Sequence, residues 1–289
     1  MDRQAKLAVI GGSGLYTMAG LTEIEEHTLD TPFGKPSAPI MTGELTGTRV
    51  SFLARHGWGH HINPTEVNYS ANIYALKMLG AERIVSISAC GSLREDYAPG
   101  DLVIPDQLFD LTRERKRSFF EAGLVAHVGV ADPFCPDLSE KLYLACKATG
   151  ATVHHSGAFI TIEGPRFSTK VESSTYRAWG MSLVGMTTSP EAFLAREAEC
   201  CYSVMAHVTD YDVWHVSEEA VTVEKIVEIL HRNTQLAQEA VKRLVDMLEP
   251  ERPCQCGQAL ENTLITRPEA MLPDTQQKLS LLVDKYLKK

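Results

Sequence analysis

Tyr202-Ser203-Val204-Met205-Ala206-His207-Val208 runs into Thr209-Asp210-Tyr211-Asp212. The first seven residues form an apolar run of the kind found in a strand covered on both faces. Two aspartates with one residue between them close it. At strand spacing, positions i and i+2 share one face, roughly 6.6 Å apart along the chain. If the extended geometry persists, Asp210 and Asp212 project from the strand end toward one point. Two such carboxylates can accept from an amino group, or hold a proton between them and act as an acid. The plain alternative is a turn with solvated carboxylates.

Outward from this strand, apolar runs and helical periodicities alternate. Strands are predicted at Leu7–Ile10, Arg83–Ala89, Asp101–Pro105, Phe159–Ile162 and Leu183–Thr188, and a hairpin at Ile40–Glu44 and Arg49–Leu53 about Thr46-Gly47. Helices are predicted at Asn68–Leu79, Pro136–Thr149, Lys170–Trp179, Pro190–Glu199 and Thr222–Leu248. That alternation argues for an α/β fold with a central mixed, largely parallel sheet flanked by helices. Residues 1–250 read as one domain. Residues 251–289 read as a linker containing Cys254-x-Cys256, followed by a terminal helix over 274–287.

The 289 residues suffice for an ample core, and 44% are hydrophobic, which excludes a disordered chain. The net charge of −9 and the short basic run Arg113–Arg117 disfavour a nucleic-acid surface. No apolar run approaches the roughly 20 residues of a membrane span, and residues 1–6 do not resemble a signal peptide. A cytoplasmic protein is expected. The seven cysteines are odd in number and mostly lie in core-like segments, as reduced buried thiols do. Cys254-x-Cys256 is too short for a structural zinc site by itself, and His60-His61 lacks partners at ligand spacing, so no metal is expected.

Several strand ends carry small or polar residues. Gly11-Gly12-Ser13-Gly14 offers backbone N–H groups and a hydroxyl to an anion, although a plain tight turn fits it too. Arg55-His56 follows the hairpin, and Arg forks onto phosphate oxygens. Ser88-Ala89 and Met186-Thr187 end two further strands. Phe167 is placed either to stack on a planar ring or to fill the core. These ends suit an oxyanion, whereas Asp210 and Asp212 suit a base or a proton. The pattern describes a pocket with a phosphate end and a purine end.

Gly11–Leu15, Asp30-Thr31-Pro32-Phe33-Gly34, Leu53–Gly57, Ala89–Arg94, Ile162–Ser168, Gly185-Met186-Thr187 and Thr209–Asp212, in this order, resemble the trimeric purine nucleoside phosphorylases, and among them the 5′-methylthioadenosine phosphorylases. The resemblance covers residues 7 to 248 and leaves the tail outside the common pattern. It implies attack of inorganic phosphate on C1′ of methylthioadenosine as adenine leaves, with no metal or organic cofactor. It further implies phosphate binding by Ser13, Arg55, His56, Ser88, Ala89 and Thr187. Met186 would lie at the ribose, with Phe167 against the ribose or the purine. Asp210 would serve adenine N7, and Asp212 the 6-amino group. Ser168 and Val223 occupy positions linked to specificity. His127, from a neighbouring subunit of a homotrimer, would line the methylthio pocket with Val223, Ile226 and Val227. A phosphorylase acting on methylthioinosine or another purine nucleoside is the alternative. A nucleosidase is disfavoured by the anion-binding residues, and a nucleoside sensor by the acid pair.

Overall fold

The computed structural model describes residues 4–12, 18–215 and 223–287, with side chains throughout except at 223–232. Strand β1 (Leu7–Gly11) leads the chain, and β2 (Thr22–His27), β3 (Ile40–Leu45) and β4 (Thr48–Ala54) follow. Helix α1 (Tyr69–Met78) precedes β5 (Arg83–Ser92), β6 (Leu102–Ile104) and β7 (Gln107–Asp110). Then come α2 (Pro136–Lys147), β8 (Val153–His155), β9 (Ala158–Thr161), α3 (Lys170–Ala178) and β10 (Leu183–Gly185). Helix α4 (Thr188–Glu197), β11 (Cys201–Asp210), α5 (Val223–Met247), α6 (Pro273–Lys278) and α7 (Ser280–Leu287) complete it.

Among the described residues the sheet has eleven strands, ordered β2-β3-β4-β1-β5-β10-β9-β7, with β11, β6 and β8 branching from β5. Pairings of β1 with β4 and β5, of β11 with β5, of β9 with β10 and β7, and of β6 with β8 are parallel. The hairpin strands, β10 on β5, and β6 on β11 are antiparallel. The sheet is therefore mixed and largely parallel.

Along β11, Val204, Ala206 and Val208 enter one core and Cys201 and Met205 the other. That is the burial on both faces which its continuous apolar run demands. The first core holds Ile73 and Leu76 of α1 and Leu194 of α4; the second holds Leu138 and Leu142 of α2 and Val241 and Leu244 of α5. Helix starts follow their sequence signals. Asn68 accepts from Ala71 N at the head of α1, and Thr169 and Glu172 form a reciprocal capping box on α3.

The tail differs from a linker with one terminal helix. Its first turn is a 3₁₀ turn, Gln255–Gln258, with Cys256 buried in the second core. The terminal helix is two helices, interrupted at Leu279. Leu260, Leu279, Leu282 and Val283 are all within the first core. The tail also clasps the loop before α2: Ala126 bridges Leu264, His127 N–H donates to Thr263 O at 3.0 Å, and Ile265 N–H to Val125 O at 3.0 Å.

Candidate active site

Strand β5 is the spine of the site. Its early residues pair in parallel with β1 and β11, and its last two pair antiparallel with β10, Gly91 facing Val184 and Ser92 facing Leu183. Chain direction on β10 then carries the residues after Gly185 back alongside β5. Thr187 Oγ1 consequently lies 3.3 Å from Ser88 Oγ. Ser88 Oγ lies 3.4 Å from Ser86 Oγ, and Arg55 Nη2 donates to Ser86 Oγ at 2.6 Å. A row of hydroxyls thus runs from Arg55 to the N-cap of α4, with Ser88 and Thr187 both largely buried. Ala89 follows Ser88 on the strand. Ser13 falls outside the described residues.

Arg55 is 3% exposed, and its fork is engaged within the protein. Nε and Nη2 donate to the two carboxylate oxygens of Glu191 at 2.8 and 3.1 Å, and Nη1 donates to Ile87 O at 3.2 Å. Of the guanidinium's five N–H groups, four have partners among the described residues. Glu191 is 0% exposed and also accepts from the Tyr202 hydroxyl at 2.8 Å. Burial opposes the Arg55 charge, yet Glu191 more than offsets it and raises the Arg55 pKa. The fork expected on phosphate is thus a fork on Glu191.

His56 stacks on His60 with ring centroids 4.3 Å apart, and its Nδ1 lies 2.9 Å from Ile62 O. A carbonyl there requires the proton on Nδ1, which leaves Nε2 as an acceptor. Burial and then the Arg55 charge lower its pKa to about 4, so the ring is neutral near pH 7. A bound anion would reverse the second of these effects.

The carboxylate end differs from a simple strand continuation. Extended geometry stops at Asp210, for Asp212 has φ +50°, in the left-handed region. An Asx turn brings the two together: Asp212 N–H donates to Asp210 Oδ1 at 2.7 Å. Thr209 Oγ1 donates to Asp210 Oδ2 at 2.6 Å. Both aspartates lie over Gly91, where a methyl group would come 3.0 Å from Asp210 Oδ1 and 3.2 Å from Asp212 Cβ. Burial raises the Asp212 pKa; the Ser173 and Ser168 hydroxyls work against this without reaching hydrogen-bonding geometry. Among the described residues, Asp212 Oδ2, Ser168 Oγ and Ser173 Oγ are buried polar atoms without a partner. Buried polar groups are normally satisfied, so this cluster marks a place for ligand donors and acceptors.

Between the two ends lie Met186 and the Glu163–Ser168 loop. Gly164, at φ +69°, stands where a methyl would fall 2.6 Å from Met186 Sδ, so only glycine fits. Phe167 is 47% exposed and belongs to no described core. Arg115 braces this region. It is 6% exposed and donates to Glu163 Oε1 at 2.9 Å, Tyr69 Oη at 3.1 Å and Ser189 O at 2.9 Å. Burial pushes Glu163 up, but the N–H groups of Arg113 and Glu114, the Thr65 hydroxyl and Arg115 outweigh it and hold its pKa at about 2. In the sequence Arg115 is one of a short basic run and Glu191 sits at a helix start. No local signal distinguishes either.

His127 stands apart from this cluster, exposed on the loop clasped by the tail. The side chains of Val223, Ile226 and Val227 are outside the described ones.

A profile of the phosphorylase superfamily matches residues 6–246. The chain belongs to the phosphorylase superfamily. Among its relatives in that superfamily, the S-methyl-5′-thioadenosine phosphorylase of Geobacter sulfurreducens is 49% identical over 282 residues, which is 97% of this chain and 99% of that one. The enzyme of the same name from Chloroflexus aurantiacus is 50% identical over 98% of each chain. A crystal structure of a methylthioadenosine phosphorylase from an Antarctic soil metagenomic library superposes with a TM-score of 0.93 at 45% identity, covering 97% of this chain and 99% of that one. Methylthioadenosine phosphorylase from Schistosoma mansoni, solved in complex with adenine, gives 0.83 at 33% identity, over 97% of this chain and 98% of that one. The superfamily profile ends at residue 246, so the tail lies outside the superfamily's common pattern, while alignments covering 97–98% of this chain show that these relatives share most of it.

Proposed function

We propose that this chain is a phosphate-dependent S-methyl-5′-thioadenosine phosphorylase, yielding adenine and 5-methylthioribose 1-phosphate. The observation that carries the reading is the placement of two chemistries on β5. Ser88, in the hydroxyl row, and Gly91, beneath the aspartates, are three residues apart, about 10 Å at strand rise. That separation suits a nucleoside with phosphate at C1′ and a purine at the far end. Phosphate is held by Ser88, Thr187 and the Ala89 backbone, with His56 and the remaining N–H of Arg55 beside it, and Ser13, two residues beyond β1 in sequence, joins them in this reading. Met186 and Phe167 take the ribose and purine faces. No helix among the described residues is long and apolar enough to cross a membrane, and seven free thiols fit a reducing cytoplasm.

In the reaction the C1′–N9 bond breaks and a C1′–O bond to phosphate forms. Positive charge that develops on the ribose draws in the placed phosphate. Adenine leaves as it gains a proton. The aspartate pair supplies it at N7 and accepts from the 6-amino group, and the proton lost by the incoming phosphate restores the balance. Asp210 already accepts two hydrogen bonds, whereas Asp212 is the group whose burial favours protonation, so the pair acts as one acid. The protein's own residues account for these steps without a cofactor.

The 5′ pocket requires a neighbour in this reading. His127 and the exposed Val125 and Val130 present an apolar edge that an adjoining chain of a homotrimer would cover. The deciding experiment measures adenine released from methylthioadenosine with and without phosphate. Strict phosphate dependence is expected, together with higher kcat/KM than for adenosine or methylthioinosine. Full release without phosphate, or a preference for the 6-oxopurine, refutes the assignment.

A further inference from the structure

Four cysteines from three separate parts of the chain converge where β11 begins, at the opposite end of that strand from Asp210. The Sγ atoms of Cys135, Cys201, Cys254 and Cys256 all lie within 4.8 Å of one another, and Cys201 and Cys254 are 3.3 Å apart. We propose that they form a four-thiolate site for a thiophilic divalent cation, zinc foremost, which fastens the tail to the sheet.

Tetrahedral zinc with Zn–S near 2.3 Å places its sulfurs about 3.8 Å apart. The Cys201–Cys254 pair at 3.3 Å lies about 0.5 Å inside that spacing, and with every pair within 4.8 Å none exceeds it by more than about 1 Å. Two ligands sit on rigid elements. Cys201 opens β11 and donates its N–H to Glu82 O, and Cys135 heads α2 with its N–H on Tyr202 O. The other two come from the tail turn. Strand alternation separates Cys201 from its neighbour Cys200, whose thiol points into the opposite core and donates to Ala81 O at 3.2 Å. The grouping is therefore not a by-product of adjacent cysteines.

Charge complementarity points the same way. Binding exchanges four S–H bonds for four sulfur–metal bonds, releases up to four protons and leaves the centre with a net charge of −2. Two guanidinium groups lie beside the sulfurs: Arg196 Nη1 is 3.6 Å from Cys256 Sγ, and Arg252 Nη1, which donates to Glu199 O at 2.8 Å and Glu82 O at 3.2 Å, is 4.0 Å from Cys201 Sγ. Positive charge so placed favours thiolates over neutral thiols and offsets the negative charge of a tetrathiolate centre. Cys254 is partly exposed and lines a surface depression with Glu82, Pro250, Arg252 and Gly257, which gives a cation access from solvent. The Cys-x-Cys spacing is too short to chelate alone; the fold supplies the missing two ligands.

The test uses full-length protein purified under reducing conditions without chelator and dialysed against zinc. One zinc per chain is expected by elemental mass spectrometry, and cobalt in its place should give the intense visible bands of tetrahedral thiolate coordination. Cys254→Ser and Cys256→Ser should lose the metal and melt earlier, with kcat/KM unchanged below their melting range. Cys146→Ser, outside the cluster, should keep the metal. Substoichiometric zinc, cobalt spectra without thiolate bands, or a Cys254→Ser protein that retains the metal overturns the proposal. So does a native thiol count showing the four sulfurs paired as disulfides. If the serine variants fail to fold, the wild-type metal content and cobalt spectrum decide alone.

Discussion

Arg55→Ala removes half of an ion pair whose other half has almost nowhere to go. Glu191 is fully buried, and after the substitution the Tyr202 hydroxyl is the described partner that remains to it. Removing one member of a buried pair costs about 3–5 kcal/mol, because an uncompensated charge stays in the core. A lost phosphate contact, by comparison, costs about 1.5–3 kcal/mol and only in the presence of phosphate. The structural effect is thus the larger. It corresponds to a fall in Tm of about 6–20 °C for a chain of this size. Arg55→Met combined with Glu191→Leu removes both charges and should recover most of that loss. The assay is urea or thermal unfolding of wild type, both single variants and the double variant, each with and without saturating phosphate, alongside the phosphate KM. Arg55→Ala that unfolds at the wild-type midpoint and only raises the phosphate KM would falsify this argument, since the fork would then be free for phosphate.

Asp210→Asn and Asp212→Asn keep shape but cannot share a proton, so each should lower kcat/KM for methylthioadenosine by about 10²-fold or more while narrowing the gap to methylthioinosine; an unchanged value on either count goes against the acid pair. Gly91→Ala puts a methyl 3.0 Å from Asp210 Oδ1 and should displace both carboxylates. It should lower nucleoside kcat/KM about tenfold or more with little change in phosphate KM, since ångström displacements cost up to 10²-fold; wild-type kinetics would show the roof has room. Glu197 is buried, and burial raises its pKa to about 7 even though Phe119 N–H donates to it at 2.6 Å. Its folded pKa exceeds its unfolded value near 4.5, so its contribution is full below pH 4.5 and is lost as pH rises through 7. Between those limits wild type should lose about 3 kcal/mol relative to Glu197→Gln; parallel stability–pH curves for the two would exclude this.

The long central elements were legible because each is a local pattern. The run ending in β11, the hairpin about Thr46-Gly47, and α1 between Asn68 and Gly80 all fall within a residue or two of their predicted limits. Three strands were not foreseen: β2, β7 and β8. Strand β2, Thr-Glu-Ile-Glu-Glu-His, is exposed almost throughout and has no buried face to leave an apolar trace. Its pairing with β3 makes it a strand. The aspartate pair was legible as chemistry but not as geometry, because the Asx turn replaces the extended spacing. The buried partnerships Arg55–Glu191 and Arg115–Glu163 span 136 and 48 residues. Such pairs leave no periodic mark, and each acid or base alone looks like an ordinary surface charge. The convergence of four cysteines is hidden for the same reason.

The clasp between the tail and the Val125–His127 loop has a genetic consequence under the homotrimer reading. A lesion at Thr263 or Leu264 would spare the catalytic centre of the chain that carries it and injure the centre next door, into which that chain lends His127. In mixed assemblies, damage would segregate by neighbour and not by owner. A chain with a defective clasp, co-expressed with one lacking Asp210, would concentrate both faults wherever the first adjoins the second and leave intact any centre whose owner and lender are sound for their separate tasks. Partial restoration of activity from two inactive parents would follow, in proportions set by the mixing ratio.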